Sequence, residues 1–123
     1  MSADEKFAKD YIEAWSVKDD ETRKNLVSKL YADNATFYAR EPNDDPVKCY
    51  QVAEIAANIT QVNERLAQGA GLITQSAGFS VNRDTIKVAW KMNTPEGKTA
   101  LRGMNILQRD ETGRILRDYI FIG

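Results

Sequence analysis

The sequence predicts an α+β domain in which three N-terminal helices pack on one face of an antiparallel sheet, and three observations carry that prediction. Apolar residues recur at spacings of three and four before residue 70 and at a period of two after it. Turn-forming clusters at Asn82-Arg83-Asp84, Thr94-Pro95-Glu96-Gly97 and Asp110–Gly113 divide the second half into strands. The run Lys98–Ile122, KTALRGMNILQRDETGRILRDYIFI, reads as two long strands joined by the turn RDETGR.

In chain order, Phe7, Ala8, Tyr11, Ile12, Ala14 and Trp15 place an aromatic apolar face on a helix over Asp4–Val17. Asp19 or Asp20 caps a second helix through Leu30, with Leu26, Val27 and Leu30 as its buried stripe. YADNATFYA, Tyr31–Ala39, turns on Asp33-Asn34 and continues as a short strand rich in β-favouring side chains. Arg40–Val47, with two prolines and three acidic residues, reads as a surface loop. Val52, Ile55, Ala56, Ile59, Val62 and Leu66 predict a third helix over Lys48–Leu66, ended by Gly69 and Gly71. Four strands follow near 72–81, 85–93, 98–109 and 114–122.

The 123 residues correspond to a single domain, 1–123, large enough to bury one core. A formal charge of −1 argues against nucleic acid or an anionic membrane surface as the main partner. No apolar run approaches the roughly 18 residues of a membrane span, and the charged start MSADEKFAKD does not read as a signal peptide, so the expected setting is cytoplasmic. One cysteine, Cys49, expected to pack at the start of helix three, forms no internal disulfide. The absence of histidine removes Ser-His-Asp triads, Cys-His pairs and histidine metal sites together. Glu41, Asp44 and Asp45 read as a solvated acidic loop, so neither metal nor cofactor is expected. Acid–base chemistry then falls to Asp, Glu, Tyr or Lys, and Asn105 and Asp118 are the polar residues set in otherwise apolar strands.

The order helix, helix, YADNATFY strand, loop, third helix and a meander ending in a GRI strand resembles the nuclear transport factor 2-like superfamily. Within it the patterns DYIEAW, LYADNATFY and LQRDETGRI are similar to those of SnoaL-like and ketosteroid-isomerase-like proteins, and the resemblance spans nearly the whole chain. It implies a cone, with three helices on a curved antiparallel sheet made of a short first strand and a four-strand meander, around a ligand pocket. The resemblance places Tyr11 at the helix-one tyrosine that donates a hydrogen bond to the substrate oxygen, and Asn105 at the second donor. The position of the general base is Ala39. Asp118 aligns with an apolar pocket residue of the isomerases, while a late-strand carboxylate serves some SnoaL-like cyclases, which makes Asp118 the candidate replacement base.

The candidate catalytic set is therefore Asp118, Tyr11 and Asn105, with Trp15, Phe37, Tyr38, Trp90, Met92, Leu101 and Leu116 as pocket wall. Inward parity is assigned to Leu101, Gly103, Asn105 and Leu107 on one strand and to Leu116, Asp118 and Ile120 on the next. The opposite parity leaves Ala100, Met104, Ile106, Ile115, Tyr119 and Phe121 as an apolar outer face, which predicts a homodimer through the sheet. Two functions stay open. One is proton transfer on an apolar carbonyl compound by an isomerase, cyclase or dehydratase-like enzyme. The other is a non-catalytic ligand-binding or dimerisation module, favoured by Ala39 at the base position.

Overall fold

A computed structural model describes residues 2–39 and 48–123. The chain runs α1 (Ala3–Ser16), α2 (Asp20–Leu30), β1 (Tyr31–Ala39), β2 (Lys48–Gln51), α3 (Val52–Val62) with a π-helical extension (Asn63–Gly69), then β3 (Ile73–Asn82), β4 (Thr85–Asn93), β5 (Thr99–Arg109) and β6 (Ile115–Ile122). Helix starts follow the sequence signals. The Ser2 side chain accepts from the Glu5 N–H at 3.1 Å, and Asp19 accepts from Thr22 N–H at 2.9 Å. Gln51 and Glu54 form a capping box at the start of α3.

Three features of the expected architecture are corrected. The expected turn at Asp33-Asn34 is absent: β1 is one strand from Tyr31 to Ala39, and the irregularity there is a register shift along β6 between Tyr31 and Thr36. Helix three begins at Val52, because Lys48–Gln51 forms a strand that pairs antiparallel with β1. Cys49 therefore lies on β2 rather than in a helix. The sheet is mixed: its order is β2-β1-β6-β5-β4-β3, and β1 runs parallel to β6. Strand-pattern reasoning finds consecutive hairpins, and this parallel pairing joins strands far apart in sequence, so no local turn announces it. The predicted loop Arg40–Val47, with Glu41, Asp44 and Asp45, lies outside the described residues. Among the described residues no helix is long and apolar enough to cross a membrane.

The helices cover one face of the curved, unclosed sheet. Tyr11 and Ala14 of α1, Val27 and Leu30 of α2, and Ile55 and Ile59 of α3 pack against Phe37, Ile86, Val88, Leu107 and Ile115 of the strands. A register shift between Gln108 and Arg109 changes the parity at the start of β6. Ile115, expected on the outer face, is consequently buried in this core, and Leu116 is only partly buried.

On the opposite face the pairing register lines up Tyr38, Tyr119 and Ile106, and beside them Phe121, Met104 and Ala89. Tyr38 and Tyr119 stack there with ring centroids 4.9 Å apart and planes 10° apart. Met104 and Phe121 are exposed.

Arg23 ties the helical layer together. It is fully buried, donating from Nε to the Ala14 carbonyl at 3.0 Å, from Nη1 to Asp20 Oδ1 at 2.9 Å and Thr60 Oγ1 at 3.0 Å, and from Nη2 to the Val17 carbonyl. Those two carbonyls belong to the last turn and C-cap of α1, where no intrahelical N–H reaches them. Arg23→Leu should strand both and lower the unfolding free energy by about 3 kcal/mol, read as a reduced urea midpoint with an unchanged slope. An unchanged midpoint would show that the guanidinium is replaceable by water.

Candidate active site

Between the helices and the sheet lies a cavity of about 200 Å³. Ile12 and Trp15 of α1, Phe37 and Ala39 of β1, and Asn58 and Val62 of α3 line one side. Arg65 and Leu66 of the π-helical extension and Thr74 of β3 continue the wall. Trp90 and Met92 of β4, Leu101 and Asn105 of β5, and Ile120 and Ile122 of β6 complete it. The lining is apolar with few polar groups, the character of a small-molecule site. Trp15 meets Phe37 edge to face at 5.8 Å, and Phe37 stacks on Tyr50 at 6.1 Å.

Behind the Asn105 wall lies a hydrogen-bonded cluster. Trp90 Nε1–H donates to Asn105 Oδ1 at 2.8 Å, and Asn105 Nδ2–H donates to Asp118 Oδ1 at 2.7 Å. Tyr11 and Tyr31 donate their hydroxyls to Asp118 Oδ2 at 2.7 and 2.6 Å. The directions are fixed by chemistry, since an indole nitrogen can only donate and the amide end facing it must be oxygen. Gly103 makes this arrangement possible. A Cβ there would sit 2.6 Å from the Trp90 ring and 2.5 Å from the Phe121 carbonyl oxygen, so only glycine leaves room for the indole that orients Asn105.

Asp118 has no exposed surface, and its register partners are the fully buried Phe37 on β1 and Leu107 on β5. Burial penalises the charged carboxylate and raises its pKa to about 6 despite the hydrogen bonds from Asn105, Tyr31 and Tyr11, which act downward. Burial, with the Asp118 charge second, pushes both tyrosine hydroxyls well above their ordinary range. Trp15 Nε1 is close enough to Tyr11 to favour its ionised form slightly, yet makes no hydrogen bond of normal geometry; it and Thr74 Oγ1 are buried polar atoms without a partner among the described residues.

No family model and no curated protein matches the sequence. Solved structures do match. A proposed isomerase of the SnoaL-like family from Agrobacterium tumefaciens superposes with a TM-score of 0.79 at 23% identity, over 96% of this chain and 95% of that one. The chain has the nuclear transport factor 2-like fold. A SnoaL-like protein of unknown function from Burkholderia thailandensis gives a TM-score of 0.70 at 12% identity, covering 97% and 92%. A proposed polyketide cyclase from Sinorhizobium meliloti gives 0.65 at 18% identity, covering 94% of each chain.

Within this nuclear transport factor 2-like framework, Asp118, Tyr11 and Asn105 come together, but only Asn105 belongs to the cavity wall. Tyr11 donates to Asp118 instead of facing the cavity. Of the expected wall residues, Trp15, Phe37, Trp90, Met92 and Leu101 line the cavity. Tyr38 does not, because alternation along β1 turns it outward to stack on Tyr119 while Phe37 and Ala39 turn inward. Leu116 is absent from the wall because the register shift before Arg109 interrupts the inward parity of β6. Sequence reasoning missed Tyr31, which shares the parity of Phe37 but is separated from it by the exposed Asp33-Asn34 step. It also missed Asn58 of α3 and Arg65 of the π-helical extension, which the sequence does not set apart from the other polar residues of those segments.

An Asp whose folded pKa is about 6 and whose unfolded pKa is about 3.9 holds its proton more tightly when folded. Its contribution therefore makes the fold less stable as pH rises through that interval, by about 3 kcal/mol in total, and is constant above it. Relative to wild type, Asp118→Asn should thus gain about 2 kcal/mol of unfolding free energy between pH 4 and pH 7. Parallel stability curves for the two proteins would contradict the assignment.

Proposed function

We propose that this chain encloses a small, largely apolar carbonyl compound and transfers a proton on it, as an isomerase or cyclase would, with Asp118 as the proton-handling group and Asn105 as the hydrogen-bonding group of the wall. One observation carries the reading: a fully buried carboxylate, its pKa raised by burial to about 6, lies hydrogen-bonded to a cavity-wall amide. Such a group costs the fold about 3 kcal/mol at neutral pH, and an apolar side chain of similar volume would close the core without that cost. Perturbed carboxylates beside cavities are characteristic of acid–base sites. The proposed isomerase and polyketide cyclase among the structural neighbours agree with this chemistry.

A second reading has its own observation. Ala39 lines the cavity at the position where the resemblance puts a base, and Asp118 has no surface in it. On that reading the cavity binds without catalysis.

The chain's two tryptophans, Trp15 and Trp90, both line the cavity, so their emission reports occupancy. With 2-decanone and β-ionone as probes, binding should shift the emission, and wild type should accelerate exchange of the α-protons into D2O, read by proton NMR. Asp118→Asn should lose about 100-fold of that acceleration. Emission changes without exchange would favour the binding module, and neither effect would overturn the carbonyl-ligand reading.

The outer face supports a separate proposal. Tyr38, Tyr119, Ile106, Phe121, Met104 and Ala89 form an apolar stripe continuous across β1, β6, β5 and β4, and a second copy of this chain is the occupant we propose for it. Sedimentation at micromolar concentration should give a dimer that Phe121→Lys with Met104→Lys dissociates; a wild-type monomer would refute it.

A further inference from the structure

The proton-transfer reading leaves open which oxygen of Asp118 takes the proton and what the two tyrosines do, and the following rests on that reading. An ionised carboxylate offers about four lone-pair sites. Oδ2 receives two hydroxyl hydrogens, from Tyr11 at 2.7 Å and Tyr31 at 2.6 Å. Oδ1 receives only the Asn105 amide, at 2.7 Å. The two oxygens of one side chain are therefore in different conditions.

Protonating Oδ2 would take a lone pair that one of the tyrosines uses, so the two buried hydroxyls would have to rearrange their hydrogen bonds between themselves. Protonating Oδ1 leaves every hydrogen bond in place. The oxygens also differ in their relation to the cavity, because Asn105, bonded to Oδ1, belongs to the wall, whereas Tyr11 and Tyr31 do not.

We propose that Tyr31 and Tyr11 are positioning residues that saturate Oδ2 of Asp118, so that Oδ1, on the Asn105 side, is the oxygen with a lone pair left to take a proton. Tyr11 is then not a ligand contact, although the resemblance gives it that part. The division of labour is specific. Two hydroxyls from α1 and from the head of β1 hold one carboxylate oxygen, and the amide from β5 links the other to the wall. The titratable groups that face Asp118 among the described residues are those two tyrosines, both held neutral by burial, and Asn105 carries no charge.

The test follows the Asp118 carboxyl by carbon-13 NMR in aspartate-labelled protein. Tyr31→Phe and Tyr11→Phe should each raise its titration midpoint by about one unit, since each removes a donor that favours the ionised form. The pH profile of α-proton exchange should move upward with it, while the emission response to β-ionone binding stays within about twofold of wild type. Biosynthetic 3-fluorotyrosine keeps the hydroxyls and strengthens their donation, so it should lower the midpoint and gives a readout if either phenylalanine variant fails to fold. A midpoint unmoved by Tyr31→Phe, or by fluorination, overturns the inference. A shifted midpoint in a protein that exchanges no α-proton upholds the positioning role and overturns the proton-transfer reading.

Discussion

The interaction on which the structure turns is the burial of the Asp118 carboxylate between Phe37 and Leu107. A charge in that position is tolerable only when its oxygens are hydrogen-bonded. The partners come from far apart in the chain, Tyr11 on α1, Tyr31 at the start of β1 and Asn105 on β5. Satisfying Asp118 therefore constrains how α1 sits on the sheet and how β1 registers along β6. A one-residue slip of β6 would turn Asp118 to the outer face and put a neighbouring side chain among the three donors, stranding them in the core.

The same constraint shapes the cavity. Asn105 cannot rotate freely, because the Trp90 indole holds its oxygen and Asp118 holds its nitrogen. Trp90 can hold it only because Gly103 leaves space for the ring. The wall thus includes an amide whose orientation is set from both sides, backed by a carboxylate that solvent does not reach. Preorganised polarity of this kind acts in a low-dielectric setting, where each hydrogen bond is worth more than in water.

Much of this was legible before any coordinates. Periodicity located α1, α2 and the four meander strands to within a residue or two, because each element has a clean apolar pattern and a marked turn or cap, whereas β1 runs through the expected Asp33-Asn34 turn and starts at Tyr31. Asn105 and Asp118 stood out as polar interruptions of apolar strands. What stayed hidden was non-local or masked by chemistry that looks ordinary in a sequence. The parallel pairing of β1 with β6 has no hairpin signal. The shift at Arg109 reverses the inside and outside of Ile115 and Leu116, two side chains of equal hydrophobicity. Tyr31 reads as a strand-favouring aromatic, and nothing local says that its hydroxyl meets residue 118.

Ala39 and Asp118 are best considered together. Ala39 and Phe37 share the inward parity of β1, and Phe37 lies directly beside Asp118 on the parallel strand β6. The resemblance puts the base at Ala39, so the carboxylate in this chain stands one strand over and behind the wall rather than in it. That displacement changes the chemistry available. A carboxylate at Ala39 would face the ligand with few fixed donors, whereas Asp118 is clamped by three and meets the cavity only through Asn105. In the proposed reading the clamp limits how far burial raises the pKa, keeping the group at about 6, able to give and take a proton near neutrality. The same clamp holds Tyr11 on Asp118 and out of the cavity wall. A carboxylate on β6 and a tyrosine turned away from the cavity are then two consequences of a single change in where the carboxylate sits.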